Sequence, residues 1–207
     1  MSSGEVQVAV EKNSDFTGSR VGMWLFLFTE LLFFGGLFLL YAVFRATHPE
    51  EFHRAAHDLS ITHGFSNVII LLTSSLTMVL SITALQKKDK RASKIFLIVT
   101  IILGFAFLVN KFFEWSEKIG HGIYPNSPEL LQRGAGETLF YGLYYVMTGL
   151  HSLHVIGGVF VLSIMFIFLE NGTINGDDYV KLENTGLYWH FVDIIWIFLF
   201  PLFYLIT

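Results

Sequence analysis

Long apolar stretches alternate with short polar segments along the whole chain. Five stretches are long enough for a membrane-spanning helix, which needs roughly 20 apolar residues to cross a hydrocarbon core of about 30 Å. The pattern predicts an all-α polytopic membrane protein, a bundle of five transmembrane helices at residues 22–44, 64–85, 94–115, 138–169 and 187–206. Because the fourth stretch exceeds the bilayer thickness, we expect that helix to tilt or to project from the membrane.

The segments between these stretches are short, and no linker rich in proline, glycine or serine divides the sequence. We therefore expect a single membrane domain over residues 1–207. The first apolar stretch follows about twenty polar residues and is too long for the core of a signal peptide, so the N-terminal tail is expected to be retained.

Lysine and arginine are concentrated on one side of the predicted bundle. Cationic loops resist translocation and therefore stay in the cytoplasm. The side with the loop of Lys87, Lys88, Lys90 and Arg91 carries about twice as many lysines and arginines as the other side. With five crossings, this bias predicts a cytoplasmic N-terminus and a periplasmic C-terminus.

The composition narrows the possible functions. Hydrophobic residues make up 53% of the chain and charged residues 14%, as expected for a membrane protein. The net charge of −4 lacks the basic field of a nucleic-acid-binding protein, so nucleic acid is not expected as a partner. The sequence contains no cysteine, which excludes disulfides, thiolate zinc sites, iron–sulfur clusters and copper centres built on paired thiolates.

Glu30 is a carboxyl group inside the first predicted helix. It lies about 12 Å past Gly22 at helical rise, among apolar side chains and Thr29. A carboxylate in a membrane span costs roughly 2.5–3.5 kcal/mol on insertion scales, so Glu30 should face protein, water or a partner. Burial favours its protonated form. Two roles follow: Glu30 carries a proton, or it is a neutral acid whose hydrogen bond only fixes helix packing.

Polar side chains also occur in the fourth and fifth predicted helices. Thr148 and His151 share one helix face, and His154 lies beside it, among glycines that allow close approach of a neighbouring helix. On the fifth helix, His190 and Asp193 are three residues apart, which predicts a hydrogen bond between them. We interpret these five residues as a structural polar cluster that joins the two helices.

The end of the third predicted helix carries two opposite charges. Lys111 and Glu114 are three residues apart, a spacing that allows contact on one helix face. The sequence therefore predicts an ion pair at the end of this span.

Metal or haem binding is the main alternative for the intramembrane polar residues. Di-iron carboxylate bundles need Glu-x-x-His pairs, which no predicted helix contains. A haem bound by His190 with either His151 or His154 stays open. The segment at residues 47–63 also contains four histidines, and we expect a solvated connector there with at most weak metal binding, by His53 and His57 one helical turn apart.

Each predicted helix contains a distinctive block of sequence, and the blocks are residues 24–38, 67–83, 103–117, 145–158 and 183–204. Two motifs are especially specific: Thr-Gly-x-His-x-Leu-His-Val on the fourth helix and Tyr-Trp-His-Phe-Val-Asp-x-x-Trp on the fifth. The third block ends in Phe-Phe-Glu-Trp-Ser-Glu. Together the five blocks resemble subunit III of the haem–copper terminal oxidases in its short, five-helix bacterial form.

The resemblance implies a non-catalytic accessory subunit of a respiratory cytochrome c or quinol oxidase that reduces oxygen to water in the bacterial cytoplasmic (inner) membrane. This chain would bind no redox cofactor. It would pack on catalytic subunit I, which would hold haem and copper, together with subunit II. In the family, this subunit is linked to sustained proton uptake and to protection of the catalytic subunit from inactivation during turnover.

Glu30 matches the family's carbodiimide-reactive buried glutamate. Seven-helix members of the family have two additional N-terminal helices and a cleft that holds phospholipid, so another subunit would have to complete such a cleft here. The alternatives that stay open are a homologue associated with nitric oxide reductase and, in a different class, a stand-alone haem- or metal-binding redox protein that uses the intramembrane histidines and acids.

Overall fold

The computed structural model describes residues 3–176 and 178–206, and the side chains of residues 17–176 and 178–206. The described chain is helical apart from its connections and an isolated β-bridge between Asn175 and Asp178. The helices are α1 (Ser3–Thr47), α2 (Pro49–His57), α3 (Ile61–Gln86), α4 (Lys90–Gly120), α5 (Pro128–Gln132), α6 (Ala135–Glu170) and α7 (Val180–Tyr204).

Five of these helices are long and apolar enough to cross a membrane, which confirms the predicted fold class. They are α3, α4, α6, α7 and the part of α1 from Thr17 onward. At 36 residues, α6 is about 54 Å long and exceeds a bilayer core, as its sequence predicted. The predicted location of each terminus relative to the membrane stays a prediction.

The long helices extend beyond the predicted spans because an apolar pattern marks only the part of a helix in hydrocarbon. The clearest case is α4, which continues past residue 115 through polar residues to Gly120. Gly122, with φ 74°, follows its end and donates its backbone N–H to the Ile119 carbonyl at 3.0 Å. A residue without Cβ adopts this left-handed conformation readily, so the helix stops there.

Helices α3 and α4 form an antiparallel hairpin with small polar side chains at its seam. The Ser81 hydroxyl donates to the Ser93 carbonyl at 2.9 Å, and the hydroxyls of Thr77 and Thr100 are 2.8 Å apart. The Asp89 side chain accepts from the Ala92 N–H at 3.0 Å and caps α4. Small residues allow the two backbones to approach closely, as is usual for helices in lipid.

The core lies between α4, α6 and α7, where Trp189 is fully buried. Its indole lies against Gly104 of α4 and Gly158 of α6. A Cβ at Gly104 would come within 2.9 Å of the ring, and one at Gly158 within 2.7 Å. These two glycines therefore make the space in which the Trp189 indole packs.

Helix α1 is at the edge of the bundle and packs on α6 and α7. Only 11% of the residues in the most apolar stretch of α1 are buried, against 44% in that of α7. At one end, Arg20 pairs with Glu183 at 2.5 Å, and the Asn184 amide donates to the Ser19 hydroxyl at 2.8 Å. These contacts fasten α1 to the start of α7.

The connector at residues 47–63 is more ordered than the sequence suggested. It contains α2, whose Phe52, Ala55 and Ala56 are buried against the bundle. These residues fall on one helix face, so the connector is amphipathic and not wholly solvated. His53 and His57 lie on the other side of α2 with their ring centroids 4.7 Å apart.

Candidate functional site

Glu30 of α1 and His154 of α6 form a hydrogen-bonded pair between two helices. The Glu30 Oε2 lies 3.0 Å from the His154 Nε2, and the His154 Nδ1 lies 2.8 Å from the Leu150 carbonyl oxygen. Because a carbonyl oxygen only accepts, Nδ1 must carry a hydrogen. Nε2 then either accepts a proton from a neutral Glu30 or donates one to its carboxylate, so the pair shares one proton.

The Glu30–His154 pair is partly open at the side of the bundle. The exposed fractions of the two side chains are 20% and 19%. Phe34 packs edge-on against the imidazole with centroids 5.3 Å apart, and the Tyr188 hydroxyl donates to the His154 carbonyl at 3.0 Å. Glu30 therefore has a polar partner in the span, whereas the sequence suggested only apolar neighbours and Thr29.

His190 and Asp193 do not form the predicted hydrogen bond with each other. The His190 Nδ1 lies 2.6 Å from the Ser75 hydroxyl of α3. Asp193 is buried, and within the described part of the chain neither of its carboxyl oxygens has a hydrogen-bond partner, although Ser75 lies near it. Residues three apart on a helix share a face only approximately. Here His190 contacts Ser75 of α3 and lines an apolar recess between α1 and α7, while Asp193 faces the interior.

His151 and Thr148 have different surroundings again. His151 is fully buried between the rings of Phe107 and Trp196, at centroid distances of 5.3 and 5.1 Å. Neither ring nitrogen has a hydrogen-bond partner among the described residues. The Thr148 hydroxyl donates to the Tyr144 carbonyl of its own helix at 2.6 Å. The five residues proposed as one polar cluster are therefore spread over separate environments.

Lys111 and Glu114 form an ion pair that is buried in the core. Their charged atoms are 3.0 Å apart, and their side chains are 3% and 1% exposed. The Lys111 ammonium also donates to the hydroxyls of Tyr144 and Tyr204 at 3.0 and 2.9 Å. Both hydroxyls donate in turn to the Glu114 carboxylate. A buried charge is tolerable only when it is paired and hydrogen-bonded, and this network satisfies both conditions.

Only some residues of this network could be predicted from the sequence. Tyr144 is four residues before Thr148 and therefore shares the helix face of Thr148 and His151, but Tyr204 lies 90 positions from Glu114 and shows no pattern with it. The burial of the pair could not be read from α4 alone, because the tyrosines that cover it belong to α6 and α7.

A second charged network, which no sequence pattern indicated, joins α2 to the start of α6. Arg133 lies 2.7 Å from the Asp58 carboxylate, and Lys118 donates to the Asp58 carbonyl. The hydrogen bond to Asp58 raises the pKa of the Arg133 guanidinium above its ordinary value. Glu137 is 3.7 Å from Arg54 and 3.8 Å from Arg133. These contacts hold the connector of residues 47–63 against the bundle.

The geometry does not favour a metal or haem site. In residues 17–176 and 178–206, no group of three or more histidines or acids is arranged to hold a metal ion. His151, His154 and His190 contact three different sets of neighbours: aromatic rings, Glu30 and Ser75. A bis-histidine haem needs two histidines that face each other across one cavity, and the described residues lack this arrangement.

Comparison with known proteins identifies similar sequences over nearly the whole chain. The family model of cytochrome c oxidase subunit III matches residues 3–207. Cytochrome c oxidase subunit 3 of Thermostichus vulcanus is 32% identical over 202 residues, which cover 97% of this chain and 94% of the relative. The subunit 3 of Synechocystis sp. is 31% identical over 186 residues, 89% of this chain and 74% of the relative.

A third relative has a different organisation. The heme-copper oxidase subunit I+III of Aeropyrum pernix is 30% identical over 195 residues. The match covers 90% of this chain but only 22% of that longer protein. Its name places the region similar to this chain in the same polypeptide as a subunit I.

Proposed function

This chain belongs to the cytochrome c oxidase subunit III family, and from that premise we propose how it works. It acts as a non-catalytic accessory subunit of a haem–copper oxidase that reduces oxygen to water in a bacterial cytoplasmic membrane. It packs on catalytic subunit I, beside subunit II, and supports proton uptake and stability there. The haems and copper belong to the catalytic part of the complex.

The Glu30–His154 pair is the observation that carries the proton-uptake part of the proposal. It holds one shared proton within the span of α1, and it is partly open at the side of the bundle. A neutral pair of this kind is much less costly in hydrocarbon than a free carboxylate. An added proton converts His154 to an imidazolium that can still donate a hydrogen bond to the neutral Glu30 carboxyl, so the pair can take up a proton and return it next to a partner.

The rest of the bundle supports a structural role toward a partner. The Lys111–Glu114 network joins α4, α6 and α7 through hydrogen bonds that need no cofactor. The large apolar side chains on the outer face of α1, such as Trp24, Leu25 and Leu39, are exposed. Such surfaces suit lipid and helices of a neighbouring subunit. The subunit I+III relative supports subunit I as that neighbour.

Replacement of Glu30 by Gln in the intact complex tests this function. Glu30→Gln should abolish labelling by a hydrophobic carbodiimide, since an amide does not react. The complex should retain its subunits but lose activity faster during turnover. Labelling, subunit content and the rate of turnover inactivation are the measurements.

Glu117→Gln is the matched control, because Glu117 is exposed on α4 and distant from the pair in sequence. This variant should be labelled and inactivated like the unmodified complex. Persistent labelling of Glu30→Gln would show that another group reacts. An unchanged inactivation rate would contradict a role of the pair in sustaining turnover.

A further inference from the structure

A row of tyrosine and tryptophan side chains passes through the core, from Trp115 of α4 to Trp196 of α7. The ring centroids of Trp115 and Tyr145 are 5.3 Å apart, as are those of Tyr145 and Tyr144. The centroids of Tyr144 and Tyr204 are 6.4 Å apart, as are those of Tyr204 and Trp196. We call these five residues the aromatic row, in which each ring lies beside the next.

The composition of the aromatic row is unusual for this protein. The sequence contains 22 phenylalanines but only 8 tyrosines and 4 tryptophans. Phenylalanine accordingly takes part in most other ring contacts of the core, such as those of Phe52, Phe140 and Phe203. Phenylalanine fills an apolar interior without the hydrogen-bond partner that a buried tyrosine or tryptophan needs. Packing alone therefore does not account for a continuous row of five rings that are all readily oxidised.

Tyr144 and Tyr204 share one proton acceptor within the aromatic row. Both side chains are buried, and both hydroxyls donate to the same Glu114 oxygen, Oε1, at 2.8 and 2.5 Å. The other carboxylate oxygen accepts from the Lys111 ammonium at 3.0 Å. A phenol that loses an electron becomes strongly acidic, so its oxidation is easier when a base lies within hydrogen-bond distance. Glu114 is such a base for both tyrosines.

The charges around the two tyrosines are suited to the loss of one electron. The Glu114 carboxylate and the Lys111 ammonium balance each other. When one tyrosine loses an electron and gives its proton to Glu114, the tyrosyl radical and the carboxylic acid are both neutral. The remaining positive charge is then the Lys111 ammonium, which already donates to both tyrosine oxygens at 3.0 and 2.9 Å. A buried charge with such partners costs far less than a bare one.

One end of the aromatic row lies close to an end of the bundle. Trp115 and Tyr145 are partly exposed. The Tyr145 hydroxyl donates at 2.7 Å to the carbonyl of Ile123, which lies in the connection after α4. Electron tunnelling weakens steeply with distance, so two short steps through these rings are faster than one long step. An electron can therefore leave the buried tyrosines through Tyr145 and Trp115.

We propose that Tyr144 and Tyr204 form a redox-active pair that gives one electron to a strong one-electron oxidant outside the bundle. The oxidant gains the electron, as a hydroxyl radical does when it becomes hydroxide, and the phenolic O–H bond breaks as its proton moves to Glu114. Oxidants of this class arise when oxygen is incompletely reduced. The pair thus intercepts them beside a catalytic subunit, a protective role that rests on the proposed function.

Photochemical oxidation of the purified chain in detergent micelles tests the pair. A flash with a cobalt(III) quencher generates tris(bipyridine)ruthenium(III), which removes one electron, and transient absorption and EPR spectra identify a neutral tyrosyl radical. The unmodified chain should form a long-lived tyrosyl radical. Its formation should be slower in heavy water, because a proton moves with the electron. Tyr144→Phe/Tyr204→Phe should lose this radical.

Tyr124→Phe/Tyr179→Phe is the matched control, because it removes two hydroxyls outside the aromatic row. This variant should form the long-lived radical like the unmodified chain. Trp115→Phe/Tyr145→Phe should slow formation of the radical without changing its EPR spectrum. A purely structural role of these two rings does not produce that effect.

Three results would overturn the inference: equal yields of the long-lived radical in Tyr144→Phe/Tyr204→Phe and in the control, an unchanged rate in Trp115→Phe/Tyr145→Phe, or an unchanged rate in heavy water. In the intact complex, Tyr144→Phe/Tyr204→Phe should also lose activity faster during turnover than the control. Failure of the unmodified chain to co-purify with a catalytic subunit, with normal radical formation, would instead contradict the proposed function.

Discussion

At the scale of single residues, most polar groups in the spans have hydrogen-bond partners on other helices. Glu30 pairs with His154 and His190 with Ser75, and Lys111 contacts Glu114 of its own helix and tyrosines of α6 and α7. Each contact replaces water that a bilayer does not provide. Asp193 differs, because it is buried and its carboxyl group has no hydrogen-bond partner among the described residues.

The environment of Asp193 changes what its substitution should do. If it supported His190, Asp193→Ala would cost about 1–3 kcal/mol of stability. Since Ser75 is the partner of His190, we expect Asp193→Leu to change the free energy of unfolding by less than about 1 kcal/mol, because removal of an unpaired polar group is nearly neutral. Ser75→Ala should instead cost about 0.5–1.5 kcal/mol. Unfolding of the purified chain in mixed detergent micelles measures both.

One result would contradict this prediction. If Asp193→Leu destabilises the chain more than Ser75→Ala does, the Asp193 carboxyl group has a partner that stabilises the fold. Thr73→Ala is a suitable control, since the Thr73 hydroxyl donates to the Ile69 carbonyl of its own helix at 2.8 Å.

At the scale of helices, close packing around Trp189 determines how α4, α6 and α7 meet. Gly104 and Gly158 provide the space for its indole. Small hydroxyl side chains likewise allow α3 and α4 to approach closely. One of them, the Ser74 hydroxyl, accepts a hydrogen bond from the Trp189 indole N–H at 2.9 Å. In lipid, where apolar surfaces gain little from mutual burial, such close contacts are the main source of helix association.

Gly158→Ala should destabilise the bundle by about 1–3 kcal/mol, because the new methyl group would lie 2.7 Å from the Trp189 ring. Gly142→Ala on the same helix is the matched control, since no heavy atom lies within 4 Å of a Cβ there. That control should be neutral or slightly stabilising, because alanine favours a helix over glycine. Detergent-induced unfolding of both variants gives the comparison, and equal stability would contradict the packing argument.

At the scale of the whole molecule, the distribution of polar contacts suits a supporting subunit. Charged networks occur in the interior and at the ends of the helices, and large apolar side chains cover much of the outer surface. Polar groups in the spans are used for contact between helices, and the described residues provide no metal-binding group. The polar contacts thus stabilise the packing of the helices, and the apolar outer surface is available for contact with lipid or with a partner in the membrane.

The absorption spectrum of the purified chain distinguishes this role from that of a stand-alone redox protein. The isolated chain should show no visible absorption, because the histidines that could ligate a haem have other neighbours. The intact complex should show the bands of the haems in its catalytic subunit. Stoichiometric haem in the isolated chain that is lost in His151→Ala or His190→Ala would favour the stand-alone redox protein.

The sequence alone was sufficient to predict how many membrane-spanning helices the chain forms. A span in lipid must be apolar over a nearly constant length, so the pattern could be read directly from the chain. The family was also recognisable from short motifs on α6 and α7. The sequence likewise identified Glu30, Lys111 and Glu114 as polar groups that need a partner, because an isolated charge in a span is costly.

Only the tertiary structure decided which partners those groups have. Glu30 meets His154 across 124 positions, and Glu114 meets Tyr204 across 90. His190, expected to bond Asp193 on its own helix, bonds Ser75 across 115 positions. Helical periodicity relates residues within one helix, but it does not specify the rotation and depth at which two helices pack. These contacts depend on that packing, so they could be found only after the helices were assembled.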